Sequence, residues 1–235
     1  MKKFELTNEF VTNMFGTKLF RIRALVEFGD VEAGELGGYV EKESNLGHDD
    51  NAWVYGDARV YDNALVYDNA RVYGDAQVSG DARVYDNARV YGDAWVYGDA
   101  WVYGNARVYD NARVYGDAWV YGDAWVYGNA RVYDNARVYG DAWVYGNARV
   151  CGDALVCGDA RVCGNGDYAY AHGFGSVNRT TTFFRLKDGG VGVRCGCFYG
   201  TLAQFRDKIR ETHGETKKAQ EYLMLADLMK LRFEK

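Results

Sequence analysis

Few side chains of this 235-residue chain could carry acid–base, nucleophilic or metal chemistry. There are three histidines, His48, His172 and His213, and five cysteines. Cys195 and Cys197 form a CxC pair, which would share one face of a strand and leave a metal short of two ligands. Reduced cysteines packed as small apolar groups are the alternative reading. No phosphate loop, nucleophile elbow or dinucleotide fingerprint is present, and Gly173-Phe174-Gly175 reads only as a turn. Side chains suited to contact abound instead, with 20 tyrosines and 6 tryptophans. Together with arginine these are the types enriched at interfaces. The chemistry this implies is recognition by aromatic and guanidinium surfaces, with no catalytic residue, no cofactor and no metal.

The elements that must position these residues follow from one period. From Asn51 to Asn165 the chain repeats Asp/Asn, Ala, a variable residue, Val, usually Tyr, then Gly/Asp. Valine recurs every six residues from Val54 to Val162 without a break, and alanine stands two residues before each. An α-helix cannot follow a period of six, whereas six is three strand periods of two. Ala and Val therefore face one side and their neighbours the other, and the Gly/Asp–Asp/Asn pair supplies a corner. One hexad buries nothing alone, so the units must stack as a solenoid.

If three hexads make a coil, outward residues sort into columns at 18-residue steps. One column is Tyr55, Tyr73, Tyr91, Tyr109, Tyr127 and Tyr145; a second is Tyr67, Tyr85, Tyr103, Tyr121 and Tyr139. A third holds Tyr61, Tyr97, Tyr115 and Tyr133, interrupted by Ser79, and the last coil switches to Cys151, Cys157 and Cys163 on three successive sides. Trp101 and Trp119 become neighbours, as do Trp125 and Trp143. Stacked rings stabilise a parallel ladder, which is the structural reading of the columns. The functional reading is an adhesive face, because so much aromatic area is rarely left wet. Its candidate residues are Tyr91, Tyr109, Tyr127, Trp101, Trp119, Trp125 and Trp143. A second period of 24 residues, with 81–104 and 105–128 differing only at Asp81 against Asn105, distributes Trp and Arg over all faces. That argues against a substrate site fixed on one face.

The flanks read as caps for the open strand edges of such a prism. Residues 1–50 carry strand-like runs at Lys2–Leu6, Phe10–Asn13 and Lys18–Val26, a glycine-rich entry at Gly34–Val40, and a degenerate strand at Ser44-Asn45-Leu46. After residue 165, Thr180–Leu186 and Gly190–Phe198 form a hairpin about Lys187-Asp188-Gly189. Thr201 caps a helix that ends at Gly214, and a second helix runs from about Lys217 to Phe233. The organisation is thus an N-terminal β cap over 1–50, repeats over 51–165 and a ββαα unit over 166–235. The repeats hold ten arginines against fifteen aspartates, while the tail holds twelve basic residues against eight acidic. Its basic excess gathers at Arg206, Lys208, Arg210, Lys217 and Lys218. These are either solvated helix faces or a docking surface for an acidic partner.

Val54-Tyr55-Gly56-Asp57-Ala58-Arg59 resembles the motif of the hexapeptide-repeat superfamily, with Tyr in place of a small or acidic residue. The resemblance implies a mainly β fold, a left-handed parallel β-helix of about 6 coils, roughly 30 Å long at ~4.8 Å per coil. The hand comes from the resemblance, not from the period. The entry Phe28–Gly34, Gly37–Val40 and Asn51–Tyr55, and the tail from Thr181 to Leu228, are similar to uncharacterised hexapeptide-repeat proteins of bacteria and their prophages, some labelled acetyltransferases. Hexapeptide acyltransferases use a histidine base where subunits meet; here the repeats contain neither histidine nor loop insertion. His48 and His172 flank opposite ends of the prism, and His213 sits at a helix end.

The expectation is therefore a non-catalytic β-helical scaffold or binding protein of phage or prophage origin, acting through protein–protein contacts. A homo-oligomer, trimer or dimer, is expected, with a further protein partner. The competing classes are a coenzyme A-dependent acyltransferase and a phage inhibitor sequestering a host defence protein or signalling nucleotide. Nucleic-acid mimicry is disfavoured: ~30 Å of duplex carries roughly 18 charges, against a net −5 for the repeats. The absence of about 18 consecutive apolar residues excludes a membrane helix. The opening residues lack the apolar run of a secretory signal, and the cysteine pattern is not a disulfide framework, so a reducing cytoplasm is expected.

Overall fold

A computed structural model describes residues 2–174 and 178–234; Gly175, the last residue of the expected turn, lies outside them. Each hexad forms one rung: two residues of strand ending on valine, then a corner. Every valine from Val54 to Val162, and the alanine two before it, is fully buried. Burying a side chain of this size stabilises by about 1.5–3 kcal/mol, and here the gain recurs at each corner-to-corner segment. Rungs pair in parallel at a spacing of 18 residues, so that Val90 lies between Val72 and Val108. The N–H of Arg89 donates to Ala106 O at 2.9 Å and that of Tyr91 to Val108 O at 3.0 Å. Three hexads therefore make one coil, and the rungs fall into three sheets. The first face contains Arg59–Val60 to Arg149–Val150, the second Trp53–Val54 to Arg161–Val162, and the third Leu65–Val66 to Leu155–Val156.

The corners explain the Gly/Asp alternation. This position has positive φ, +73° at Gly98, where an added Cβ would stand 3.0 Å from Gly116 N in the next coil. Five aspartates occupy it nonetheless, among them Asp86 and Asp110 at φ 56° and 57°. Asp86 Oδ2 accepts the N–H of Gly104 at 3.1 Å, and Asp110 Oδ2 that of Gly128 at 3.2 Å. The carboxylate offsets the left-handed backbone by satisfying a donor one coil away.

The parallel pairing begins before residue 51. Strands β1 (Phe4–Thr12) and β2 (Lys18–Ala24) form a hairpin, and β2 pairs antiparallel with β3 (Leu36–Val40). β3 then pairs parallel with Arg59–Val60, converting a hairpin sheet into the first face. The two short runs expected before the turn are one strand, with a register shift between Leu6 and Phe10. The expected strand at Ser44-Asn45-Leu46 is instead a single 3₁₀ turn, Glu43–Asn45, after which Leu46 alone bridges to Val66. Asn45 replaces the missing strand: its buried amide donates to Asp62 O and Ala64 O at 3.1 and 2.9 Å. Lys3 is 3% exposed and clamps this end, donating to Asp50 O, Asp50 Oδ1 and Ala52 O at 3.0, 3.2 and 2.8 Å. Burial lowers its pKa despite the neighbouring Asp50.

The expected C-terminal strand pair is the middle of a four-stranded antiparallel sheet. Tyr168–Phe174, Arg179–Arg185, Val191–Cys195 and Phe198–Thr201 follow in spatial order. The first contains Gly173 and the last is four residues long with Gly200 inside, which weakens the strand signal of both. Helix α1 (Leu202–His213) starts at Thr201, whose Oγ1 accepts Gln204 N, and stops at Gly214 with φ 56°. Helix α2 spans Lys217–Phe233. The helices and sheet enclose a second core of Phe183, Phe205, Ile209, Tyr222, Met229 and Phe233. Strand alternation sends Phe184 the other way, into the prism core. Thr182 Oγ1 accepts the N–H of Leu155 at 2.9 Å, and Asp159 O accepts that of Lys187 at 3.0 Å. The tail is thereby docked on the last coil and covers its open edge.

Candidate interaction surface

Outward side chains stand at the 18-residue pairing distance, so identical residues meet face to face. In the second-face column the rings of Tyr91 and Tyr109 lie 4.8 Å apart and those of Tyr109 and Tyr127 4.9 Å, nearly parallel. The third-face column stacks without interruption from Tyr67 to Tyr139. Tyr97, Tyr115 and Tyr133 stack on the first face beyond Ser79. Burial among neighbours lifts the phenols of Tyr85 and Tyr109 to about 12, and adjacent stacked tyrosines act in the same direction.

The variable position before valine forms a second column beside each tyrosine column. Trp101 and Trp119 stack at 5.1 Å on the third face, and Trp125 and Trp143 at 4.9 Å on the second. Each pair is closed by arginine at both ends. Arg83 and Arg137 lie 5.1 and 4.4 Å from Trp101 and Trp119; Arg107 and Arg161 lie 4.8 and 4.2 Å from Trp125 and Trp143. Such contacts are worth about 0.5–1 kcal/mol at exposed sites. The tyrosines meet the tryptophans edge-on, as Tyr109 meets Trp125 at 6.2 Å. The 24-residue period accounts for the order: a four-hexad cycle sampled every third hexad reads Arg-Trp-Trp-Arg down a column. Two of the three faces thus carry the sandwich, whereas on the first face Trp95 stands between Gln77 and Arg113. All seven aromatic candidates are partly exposed, flat and held rigid.

The basic candidates are not one patch. Arg206 is ion-paired with Asp227 on α2, Lys208 with Glu211 at 2.9 Å and Arg210 with Asp207 at 3.2 Å. Lys217 and Lys218 stand exposed in the first turn of α2. The sequence reading passed over another feature of this helix: Met224, Leu228 and Leu231 are 72, 56 and 70% exposed along one side. Their i, i+4, i+7 spacing signals it, but α2 is apolar on both sides and its other side makes the core.

The histidines do not converge. His48 Nδ1 accepts the N–H of Lys3 at 3.3 Å and its ring stacks on Phe4 at 4.4 Å. His172 Nδ1 lies 2.8 Å from Thr180 Oγ1 at the far end, and His213 packs on Tyr222 at 5.9 Å. Cys195 Sγ lies 3.1 Å from Thr181 Oγ1, while Cys197 is exposed in the adjoining turn. Among the described residues no group of three His, Cys, Asp or Glu is placed to hold a metal ion.

Residues 52–158 match, in overlapping segments from 52–67 to 142–158, the family model described as YdcK Beta solenoid repeat. No curated protein matches the chain. Among the described residues no helix is long and apolar enough to cross a membrane.

Proposed function

We propose, taking the YdcK-type beta-solenoid repeats over residues 52–158 as the premise, that this protein is a non-catalytic scaffold acting through protein–protein contacts. One observation carries the reading: tyrosine ladders and Arg-Trp-Trp-Arg stacks form flat, rigid and half-exposed strips along the prism. Rigid aromatic and arginine surface loses little side-chain entropy on association, which favours its use as a contact. We read the partner as first a second and third copy of this chain, with trimer and dimer the candidate states. The resemblance of its entry and tail supports a phage or prophage origin. Five unpaired thiols suit the reducing cytoplasm.

Light scattering on the purified chain tests this. A dimer or trimer is expected, and replacing Tyr109 and Tyr127 together by lysine should release monomers without unfolding the prism. A wild-type protein that stays monomeric at high concentration would remove self-association from the reading. Thermal denaturation with acetyl-coenzyme A examines the acyltransferase alternative, and a clear rise in melting temperature would favour it.

A further inference from the structure

Each tyrosine column ends on a cysteine one coil before the tail, at Cys151, Cys157 and Cys163. A cysteine leaves empty the volume that the next phenol ring would fill. The tail closes two of these gaps. On the first face the Tyr168 hydroxyl lies 3.7 Å from Cys151 Sγ, and Tyr170 lies against Gly152. On the third face Arg194 lies over Tyr139 at 6.0 Å, Tyr199 lies against Gly158, and Cys157 is buried.

The second face differs. Tyr145 continues the Tyr91–Tyr127 stack, with its ring 5.2 Å from that of Tyr127. Its N–H donates to Val162 O at 2.9 Å, so Cys163 is the next position of the column, and Cys163 is exposed. Among the described residues no ring of the tail stacks on Tyr145. A crevice of about 620 Å³ opens beside Tyr145, lined by Tyr145, Arg161, Asp167, Arg185, Lys187 and Phe233, with the 186 and 189 positions between.

The charge of this crevice is unusual for an acidic chain. Among the described residues, none of Arg161, Arg185 and Lys187 has a carboxylate partner within ion-pair distance. The one acid, Asp167, is engaged with the N–H groups of Cys163 and Gly164, both at 3.0 Å. Both guanidinium groups are fixed. Arg161 lies on Trp143 and donates from Nη1 to Asp141 O and Ala160 O, both at 2.8 Å. Arg185 lies 5.1 Å from the centre of the Phe233 ring and donates to Gly189 O and Phe233 O at 3.0 and 2.9 Å. Each guanidinium has five N–H donors, so both keep donors for an anion. Fixed guanidinium forks recognise phosphate well.

We infer that this crevice is a binding site for a nucleoside phosphate, its base stacking on Tyr145 as the next rung of the ladder and its phosphates held by Arg161, Arg185 and Lys187. Stacking reads any base, because every base has a π-face, so the site selects the class of ligand and not the base. The inference does not rest on the scaffold reading, since the site lies at the junction with the tail rather than on the ladders between.

Titration calorimetry of the full chain with ATP, adenosine and inorganic tripolyphosphate tests it. ATP is expected to bind at least tenfold more tightly than either fragment. Cys163→Tyr fills the empty rung and should abolish ATP binding without lowering the melting temperature. Lys187→Glu, on an exposed hairpin position that cannot disturb the core, should weaken ATP at least tenfold. The inference is overturned if ATP does not bind, if adenosine binds as well as ATP, or if tripolyphosphate does. ATP binding that survives both Cys163→Tyr and Lys187→Glu would place the ligand elsewhere and overturn it too.

Discussion

Replacing corner aspartates by glycine and by alanine should have unequal consequences, although both remove the same carboxylate. Asp110 stands at φ 57° with its Oδ2 3.2 Å from Gly128 N. An L-residue in this region costs about 1–2 kcal/mol. A hydrogen bond to a carboxylate contributes about 1.5–3 kcal/mol when shielded, and nearer 1 at an exposed corner. Asp110→Gly relieves the backbone, loses the hydrogen bond and adds roughly 0.5–1 kcal/mol of unfolded-chain entropy. These terms nearly cancel, so the glycine variant should match the wild type to within about 1 kcal/mol. Asp110→Ala keeps the strain and loses the bond but escapes the glycine's entropy cost, so it should be less stable than the glycine variant by about 0.5–1 kcal/mol. Asp62 and Asp134 occupy the same kind of corner, at φ 58° in each case and coils apart. Effects at separated sites add, so the triple alanine variant should fall below the triple glycine variant by about 2 kcal/mol. Urea unfolding followed by circular dichroism measures the difference. If the two triple variants unfold at the same urea concentration, the left-handed corner is not what selects Gly and Asp, and the account of the hexad fails.

Three further outcomes follow from the same geometry. Raised phenol pKa values mean that the folded chain resists tyrosine ionisation: the stability this provides is complete below pH 10 and is lost as pH rises through about 12. Ultraviolet titration should show ladder tyrosines ionising well above free tyrosine, and titration of all twenty at the free value would contradict the stacking. Thr182→Val keeps the shape but orphans the N–H of Leu155 under the tail, and should cost about 1–3 kcal/mol in denaturant unfolding. Lys3→Met leaves two carbonyls without the ammonium donor at the N-terminal cap, and Asp50 Oδ1 with the N–H of Ala52 but without its counter-ion. A loss of about 3 kcal/mol is expected by thermal or urea denaturation, and an unchanged midpoint would show that the buried ammonium contributes nothing.

The repeats were legible in the chain because one local rule, valine inward every six residues, is restated nineteen times. Stacking of the hexads buries those valines, and with three hexads to a coil, as the hexapeptide-repeat resemblance implies and the 18-residue pairing shows, the columns of tyrosine, tryptophan and arginine follow by counting. The helices of the tail were equally legible, since Thr201 and Gly214 mark ends that local backbone chemistry dictates.

The ends were decided by contacts between residues far apart in sequence. Glu43–Asn45 turns where a strand was expected because the Asn45 amide supplies the hydrogen bonds that a strand would have made. The outer strands of the tail, each broken by a glycine, are held by the edges that the Arg179–Arg185 and Val191–Cys195 strands offer. The three cysteine endings of the ladders look equivalent as a sequence. Only the packing of the tail, which seats Tyr168 and Tyr199 over two of them, leaves the third open beside Arg161, Arg185 and Lys187. A period fixes what each repeat does to its neighbour, whereas the place where a unique segment comes to rest depends on shape and charge that no single stretch of the chain contains.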